Sequence, residues 1–277
     1  MVAISGLQAI VLGLVQGLTE YIPVSSTAHL RIVPALLGWG DPGAAFSAVI
    51  QLGTLVAVLL YFARDIGRFT VAALASLVSA EARRSPDARM AWAIAAGNLP
   101  IVVLGLGFRH VIETELRSLY IIGTMLIVIA LGLWWAERRG TGEAPMEGLT
   151  FRRVMAIGAF QALALIPGSS RSGSTILGGL LLGLKRADAA RFSFLLGIPA
   201  ILGAALLELP HVLAGVRAGE LTGTSLVLGL LTACVVGYAS IAFLLRYLER
   251  RTTLLFIVYR LGLAGVVLGL AASGVIR

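Results

Sequence analysis

Gln16 and Glu20 are four residues apart, so on a helix they share one face. A carboxamide beside a carboxylate offers oxygen ligands to a hard cation, Mg²⁺ or Ca²⁺, whose shell water and a substrate phosphate would complete. The same pair serves equally as an interhelical hydrogen bond beside a protonated glutamate. Ser25, Ser26, Thr27 and His29 follow directly. A hydroxyl near an imidazole is one route to attack on a phosphoryl or acyl centre, and the histidine itself is another. The plain alternative makes the serines helix caps and gives His29 a structural bond.

A second polar string, Gly168-Ser169-Ser170-Arg171-Ser172-Gly173-Ser174-Thr175, suits an anion. Its glycines permit tight turns, leaving successive N–H groups free to form a concavity for negative charge. A helix starting near Ser172 adds its positive end, and Arg171 adds a planar donor fork. Burying Arg171 alone at membrane depth would cost at least ~2.5–3.5 kcal/mol, so it requires a fixed anion. Glu20, in a purely structural salt bridge, and a bound phosphate are the two candidates. The Gly-Lys-Ser/Thr ending of a nucleotide-binding loop is absent.

These strings interrupt a very apolar chain of 277 residues, 58% hydrophobic and 13% charged, with mean hydropathy +0.94. Soluble domains carry about 25% charged residues, so the composition predicts an integral membrane protein. The 33 glycines suit close helix packing in lipid. The isoelectric point near 10.5 comes without basic clusters interleaved with aromatics, which argues against a nucleic-acid partner. A single cysteine, Cys234, excludes an internal disulfide. The apolar N-terminus lacks a basic n-region and cleavage site, so no removable signal peptide is expected.

Apolar runs predict six spans, near 44–63, 88–108, 116–136, 189–208, 224–248 and 253–275. Regions 5–38 and 151–184 each hold two shorter arms joined at a Pro-Ser-Ser loop, Ile22-Pro23-Val24-Ser25-Ser26 and Ile166-Pro167-Gly168-Ser169-Ser170. They read as re-entrant helix–loop–helix hairpins. Irregular backbone at membrane depth survives only inside protein or along a cavity, and paired breaks point to a binding site. The expected fold is therefore an all-α polytopic membrane protein in a single domain over 1–277. Its halves, about 1–137 and 150–277, each contain one hairpin and three spans. Three crossings per half make the repeat inverted. Phe46-Ser47 and Phe192-Ser193 echo each other after the two hairpins.

Fifteen basic residues fall on the face opposite the N-terminus, among them Arg64, Arg83, Arg138, Arg152 and Arg250. Four (Arg109, Arg117, Arg217 and Arg277) fall on the N-terminal face, and Arg31, Arg171 and Arg260 lie within hairpins or a span. This bias places both termini outside the cell, the 64–88 and 137–151 loops in the cytoplasm, and the hairpin tips together near the middle. Gln51 either reaches the site or bonds a neighbouring helix. Glu208, His211 and Glu220 beside an external 209–223 loop, and His110, Glu113 and Glu115 in a 109–117 turn, read as solvated. Arg260 is expected to snorkel to the cytoplasmic edge.

The residues Gln16 to His29 and Pro167 to Thr175 together resemble the undecaprenyl-diphosphate phosphatase family, the bacitracin-resistance membrane phosphatases. The two motifs are Glu/Gln-x-x-x-Glu running into Pro-x-Ser-Ser-x-x-His, and Pro-Gly-x-Ser-Arg-Ser-x-x-Thr. The resemblance extends over essentially the whole chain. It implies an inverted-repeat fold in the bacterial inner membrane and a divalent cation. It also implies hydrolysis of undecaprenyl diphosphate to the monophosphate carrier of cell-wall synthesis. Glu20, Ser26, His29 and Arg171 would be catalytic, with Gln16 and Glu20 on the metal. Ser25, Thr27, Gly168, Ser169, Ser170, Ser172 and Thr175 would bind the diphosphate. Gln16 stands where many relatives have glutamate, so metal binding rests mainly on Glu20. The implied partners are the lipid substrate, the bilayer and, as an open option, a second copy in a homodimer.

The attacking group is left open among Ser26, His29 and water, and the site is expected to open to the external face. A transporter or flippase for a polyprenyl phosphate is the rival class, since it shares the inverted-repeat architecture. The other lipid-phosphatase class is excluded, because Leu177 stands where its Ser-Arg-x₅-His motif needs histidine. The orientation is checked by a reporter fused at residue 145. It is expected on the cytoplasmic side, and an external signal overturns the topology.

Overall fold

The computed structural model describes residues 4–39, 43–219 and 221–274. Glu220 and Arg277 lie outside the described residues, as do the side chains of Glu113 and Arg117. Among the described residues every named element is helical, with one isolated bridge between Ala144 and Leu184.

The first polar string sits between α1 (Gly6–Thr19) and α2 (Ser26–Leu36). Ser5 starts α1 with a capping box to Gln8, satisfying two otherwise orphaned N–H groups. α3 (Gly43–Tyr61) then turns at Phe62 into α4 (Ala63–Val78), the bent pair making an angle of 78°. α5 (Pro86–Gly97) and α6 (Leu99–Gly107) form one span broken at Asn98, because Pro100 lacks the N–H that a continuous helix needs. The short α7 (Arg109–Thr114) leads to α8 (Leu119–Arg139). The second polar string joins α9 (Phe151–Ala162) to α10 (Arg171–Leu181). Three long helices follow: α11 (Arg186–Arg217), α12 (Gly223–Arg250) and α13 (Leu254–Ala272).

Among the described residues five helices, α5–α6 counted as one, are long and apolar enough to cross a membrane, and the count is six if the bent α3–α4 pair is one span. Large apolar side chains such as Val103, Leu206 and Val235 are more than 60% exposed. A run of such residues around the helices is what lipid contact requires. The chain is a multi-pass membrane protein.

Three expectations are corrected. The 64–88 loop is largely helix, since Ile66, Phe69, Ala73 and Leu77 recur at spacings of three and four along α4. The expected 209–223 loop is mostly the continuation of α11, which carries Pro199 and Pro210 and runs to Arg217; Glu208 pairs there with His211 at 3.1 Å. Arg260 does not snorkel. It is fully buried and donates to the carbonyls of Pro23, Met125, Leu126, Gly168 and Ser169 at 2.9–3.3 Å. Loop carbonyls from both strings, unmet by any helix ladder, supply the acceptors that water would otherwise provide.

Close helix approach sets the remaining frame. A Cβ on Gly158 would collide with the Gly97 backbone, and one on Gly13 would come within 2.5 Å of the Gly229 carbonyl. α9 thus lies directly against α5, and α1 against α12.

Arg260→Leu is expected to lower stability by about 3 kcal/mol, because several buried carbonyls lose their donor. Thermal unfolding in detergent reads the loss. Arg260→Lys should recover part of it, since an ammonium lacks the planar five-donor fork. An unchanged Tm in the leucine variant would show that the carbonyls find other donors.

Candidate active site

Gln16 and Glu20 do share a face at the end of α1. Gln16 Nε2 donates to Glu20 Oε2 at 3.0 Å and reaches Thr54 Oγ1 on α3 at 3.5 Å. After Glu20 the chain leaves the helix. Tyr21 donates its hydroxyl to the Thr54 carbonyl at 2.5 Å and sets its ring edge against Phe194. These two contacts anchor the loop on α3 and α11.

Each loop ends on a serine with positive φ, Ser25 at 76° and Ser170 at 70°. They are the only non-glycine residues of that kind among the described residues. Such backbone costs of order 1–3 kcal/mol and persists only where surroundings enforce it. Each serine caps the helix that follows, accepting from Ala28 N in the first case and Gly173 N in the second. The structural correspondence is therefore Ser25 with Ser170, one residue out of step with the matched Pro-x-Ser-Ser pattern. Gly168 is the extra residue. Its φ is 93°, and a Cβ there would strike the Ile122 carbonyl.

The first helical residue after each strained serine faces Glu20. From the first loop, Ser26 Oγ donates to Glu20 Oε2 at 2.8 Å. From the second, Arg171 Nη2 lies 3.5 Å from Glu20 Oε1, while Nη1 donates to the Ser193 carbonyl at 3.2 Å. Arg171 Nε is buried and has no hydrogen-bond acceptor among the described residues. Ser172 ties the loops together by donating to the Glu20 carbonyl at 3.2 Å. Glu20 is the hub, with side-chain partners from both strings.

A cavity of about 320 Å³ opens on this hub, lined by Gln16, Glu20, Ser26, Thr27, Arg31, Ser47 and Gln51 among others. A second, of about 210 Å³, shares Glu20, Ser26, Thr27 and Gln51 and adds Gly168, Ser170 and Arg171. Ser25 and Ser169 are buried behind the loops and line neither cavity. Thr175 Oγ1 donates to the Arg171 carbonyl at 2.7 Å and meets Ser193 Oγ at 2.5 Å, so it braces the first turn of α10. His29 is turned away from Glu20. Its Nδ1 bonds the Ser25 carbonyl at 2.7 Å, so that nitrogen carries the proton. Nε2 then accepts from the Tyr259 hydroxyl at 2.6 Å, the two rings stacking. Both imidazole nitrogens are thus engaged away from the cavity.

Several residues at the site carried no sequence signal of their own. Tyr21, Thr54 and Tyr259 lie in apolar helical or loop context. Ser47 and Ser193 were marked only by the Phe-Ser echo, yet Ser47 lines the cavity and Ser193 holds Arg171. Gly197 lies where a Cβ would overlap the Arg171 guanidinium. Arg31, four residues after Thr27 and so on the same helix face, was the detectable one: a cation inside a hairpin arm.

The family described as Bacitracin resistance protein BacA matches residues 9–266. An undecaprenyl-diphosphatase from Chlorobium chlorochromatii (strain CaD3) is 51% identical over 277 residues, covering 98% of each chain. Another from Chloroherpeton thalassium (strain ATCC 35110 / GB-78) is 51% identical over 275 residues, covering 97% of each. The undecaprenyl-diphosphatase of Myxococcus xanthus (strain DK1622) is 52% identical over 273 residues, 97% of this chain and 90% of that one.

Gly197→Ala is expected to push the Arg171 side chain off Glu20 and cut turnover by at least tenfold while the protein stays folded. Gly67→Ala, where an added Cβ meets nothing within 4 Å, serves as the control. Equal rates in the two variants would mean that Arg171 does not need its present position.

Proposed function

The chain belongs to the bacitracin resistance protein BacA family and is an undecaprenyl-diphosphatase, and on that basis we propose that Ser26, Glu20 and Arg171 carry its chemistry. The observation that carries this reading is the Ser26 Oγ–Glu20 Oε2 hydrogen bond at 2.8 Å, in a cavity wall shared with Arg171. A hydroxyl donating to a buried carboxylate is a nucleophile with its base in place. Arg171 Nε, buried without an acceptor among the described residues, is a donor suited to a phosphate oxygen.

Ser26 Oγ attacks the terminal phosphorus of the lipid diphosphate, and its proton passes to Glu20. The bond from that phosphorus to the bridging oxygen breaks, and the lipid monophosphate leaves with the bond's electrons. Water then attacks the phosphoserine, its proton passing to a phosphoryl oxygen, while protonated Glu20 returns its proton to the departing Ser26 Oγ and orthophosphate is released. Little covalent assistance is needed for such a transfer; positioning and charge neutralisation dominate. Gln16 orients Glu20 through their 3.0 Å bond, and His29 with Tyr259 stiffens the strained Ser25 turn.

A divalent cation, Mg²⁺ or Ca²⁺, fits the donor set. Glu20 is the one carboxylate among the described residues lining either cavity, with Gln16 and Gln51 offering carboxamide oxygens beside it. Among the described residues no three His, Cys, Asp or Glu gather to hold a metal. That suits an ion keeping several waters and substrate oxygens. Its chemistry when bound is to neutralise phosphoryl charge.

The twin strained serines, the two tips meeting at Glu20 and Arg171, and the like spacing from Ser5 to Gln16 and from Thr150 to Gln161 support an inverted repeat. With both termini outside the cell, the site opens toward the external leaflet.

Ser26→Ala is expected to lose at least about 10²-fold in kcat. A substrate labelled in its terminal phosphate should leave label on Ser26 after rapid acid quench of the wild-type enzyme. Chelator should abolish release, and added Mg²⁺ restore it. Turnover within threefold of wild type in Ser26→Ala would hand the attack to water.

A further inference from the structure

The two cavities that meet at Glu20, Ser26, Thr27 and Gln51 continue past different side chains. One continues past Arg31 in the middle of α2 and Gly43 and Ser47 at the start of α3, with Leu30, Ile122 and Pro167 beside them. The other continues between Ile101 on α6, Leu165 and Ile166 before the second tip, and Ala200, Ile201 and Ala204 on α11. The lining residue Ala204 is itself exposed, and Val103 on α6 and Leu202 and Leu206 on α11 nearby are strongly exposed, so this arm reaches the apolar outer surface of the helices. Arg31 lines only the first arm and Arg171 only the second.

Resting on the reading of Ser26 and Glu20 above, we propose that the arms sort the two products, with Arg31 as the subsite for the terminal phosphate. The substrate has one apolar end. Its first prenyl units require an apolar wall, and the continuation from Ile101 to Ala204 carries no polar side chain among the described lining residues, whereas the other arm carries Arg31 and Ser47. The inner phosphate then lies against Arg171, and the scissile bridge lies over Ser26. The terminal phosphate has one direction left, along the arm holding Arg31, Ser47 and Thr27. Arg31 supplies a planar fork for phosphate oxygens, and the hydroxyls accept or donate as protonation demands. After cleavage the lipid monophosphate withdraws sideways into the bilayer. Orthophosphate leaves past Arg31, at the α2–α3 end.

Binding rather than turnover tests this, so the result stands whether or not Ser26 is the nucleophile. Sodium orthophosphate and farnesyl monophosphate are titrated separately against the full-length protein in detergent, reading the ligand-dependent rise in Tm. Arg31→Gln should weaken apparent orthophosphate affinity by about tenfold, the scale of one charge-assisted contact, and leave farnesyl monophosphate within twofold. Arg31→Lys should keep part of the orthophosphate affinity. Ala204→Phe, which fills the apolar arm, should do the reverse: farnesyl monophosphate weakens about tenfold and orthophosphate holds. An unchanged orthophosphate affinity in Arg31→Gln, or an equal loss for both ligands, overturns the assignment.

Discussion

Everything at the centre of this protein depends on one buried guanidinium. Arg260 has no carboxylate among its described partners; five backbone carbonyls surround it instead. Two irregular loops at membrane depth need donors for carbonyls that no helix satisfies, and water is not at hand. Pro23, Gly168 and Ser169 find theirs in a single side chain from α13, which also bonds α8. The loops are thereby fixed to each other as well as to the scaffold. Without that fixture, the 3.2 Å bond from Ser172 to the Glu20 carbonyl and the Arg171–Glu20 approach would have no stable frame.

The two central arginines divide their labour by how fully the protein satisfies them. Arg260 is occupied along its whole donor edge. Arg171 is held by Ser193 and drawn toward Glu20 at the loose distance of 3.5 Å, with Nε left without an acceptor among the described residues. A donor left unmet in a buried site costs stability, and it is tolerated where a ligand supplies the acceptor. The strained serines follow the same logic. Positive φ at Ser25 and Ser170 is what aims the next residue, Ser26 or Arg171, at one carboxylate. Local cost is concentrated where geometry must be exact, and the surrounding bonds of Thr175, Tyr21 and His29 hold it there.

Much of this was legible in the residues. Polar breaks in apolar runs located both loops, and the spans near 88–108, 116–136, 224–248 and 253–275 match helices to within a few residues. Other features were hidden for definite reasons. Arg260 sits only seven residues into α13, where sequence alone cannot separate snorkelling from burial; the difference lies in carbonyls contributed by chain more than 90 residues distant. α4 resembles a loop in sequence because Arg64, Asp65 and Arg68 crowd its first two turns. His29 was weighed with Ser26 because a short string suggests proximity, yet a helical turn sends the imidazole toward α13. The one-residue offset between Ser25 and Ser170 required the φ angle of Gly168, which no residue type announces beforehand.

Charge gives the site its direction. Among the described cavity-lining residues, Glu20 is opposed by Arg31 and Arg171, each on its own side of Ser26. Hydrolysis turns one polyanion into two phosphates, each carrying about −1.5 to −2 at neutral pH, and the two repel. Two cations on one side would hold the products together and slow their parting. On the proposed assignment, cations on opposite arms turn the same repulsion into separation, toward lipid for the prenyl product and away from it for orthophosphate. On the proposed mechanism a single carboxylate between them serves both halves of the reaction: it takes the proton from Ser26 as the diphosphate is attacked. Once it has returned that proton to Ser26, its restored negative charge disfavours phosphate settling back on the serine.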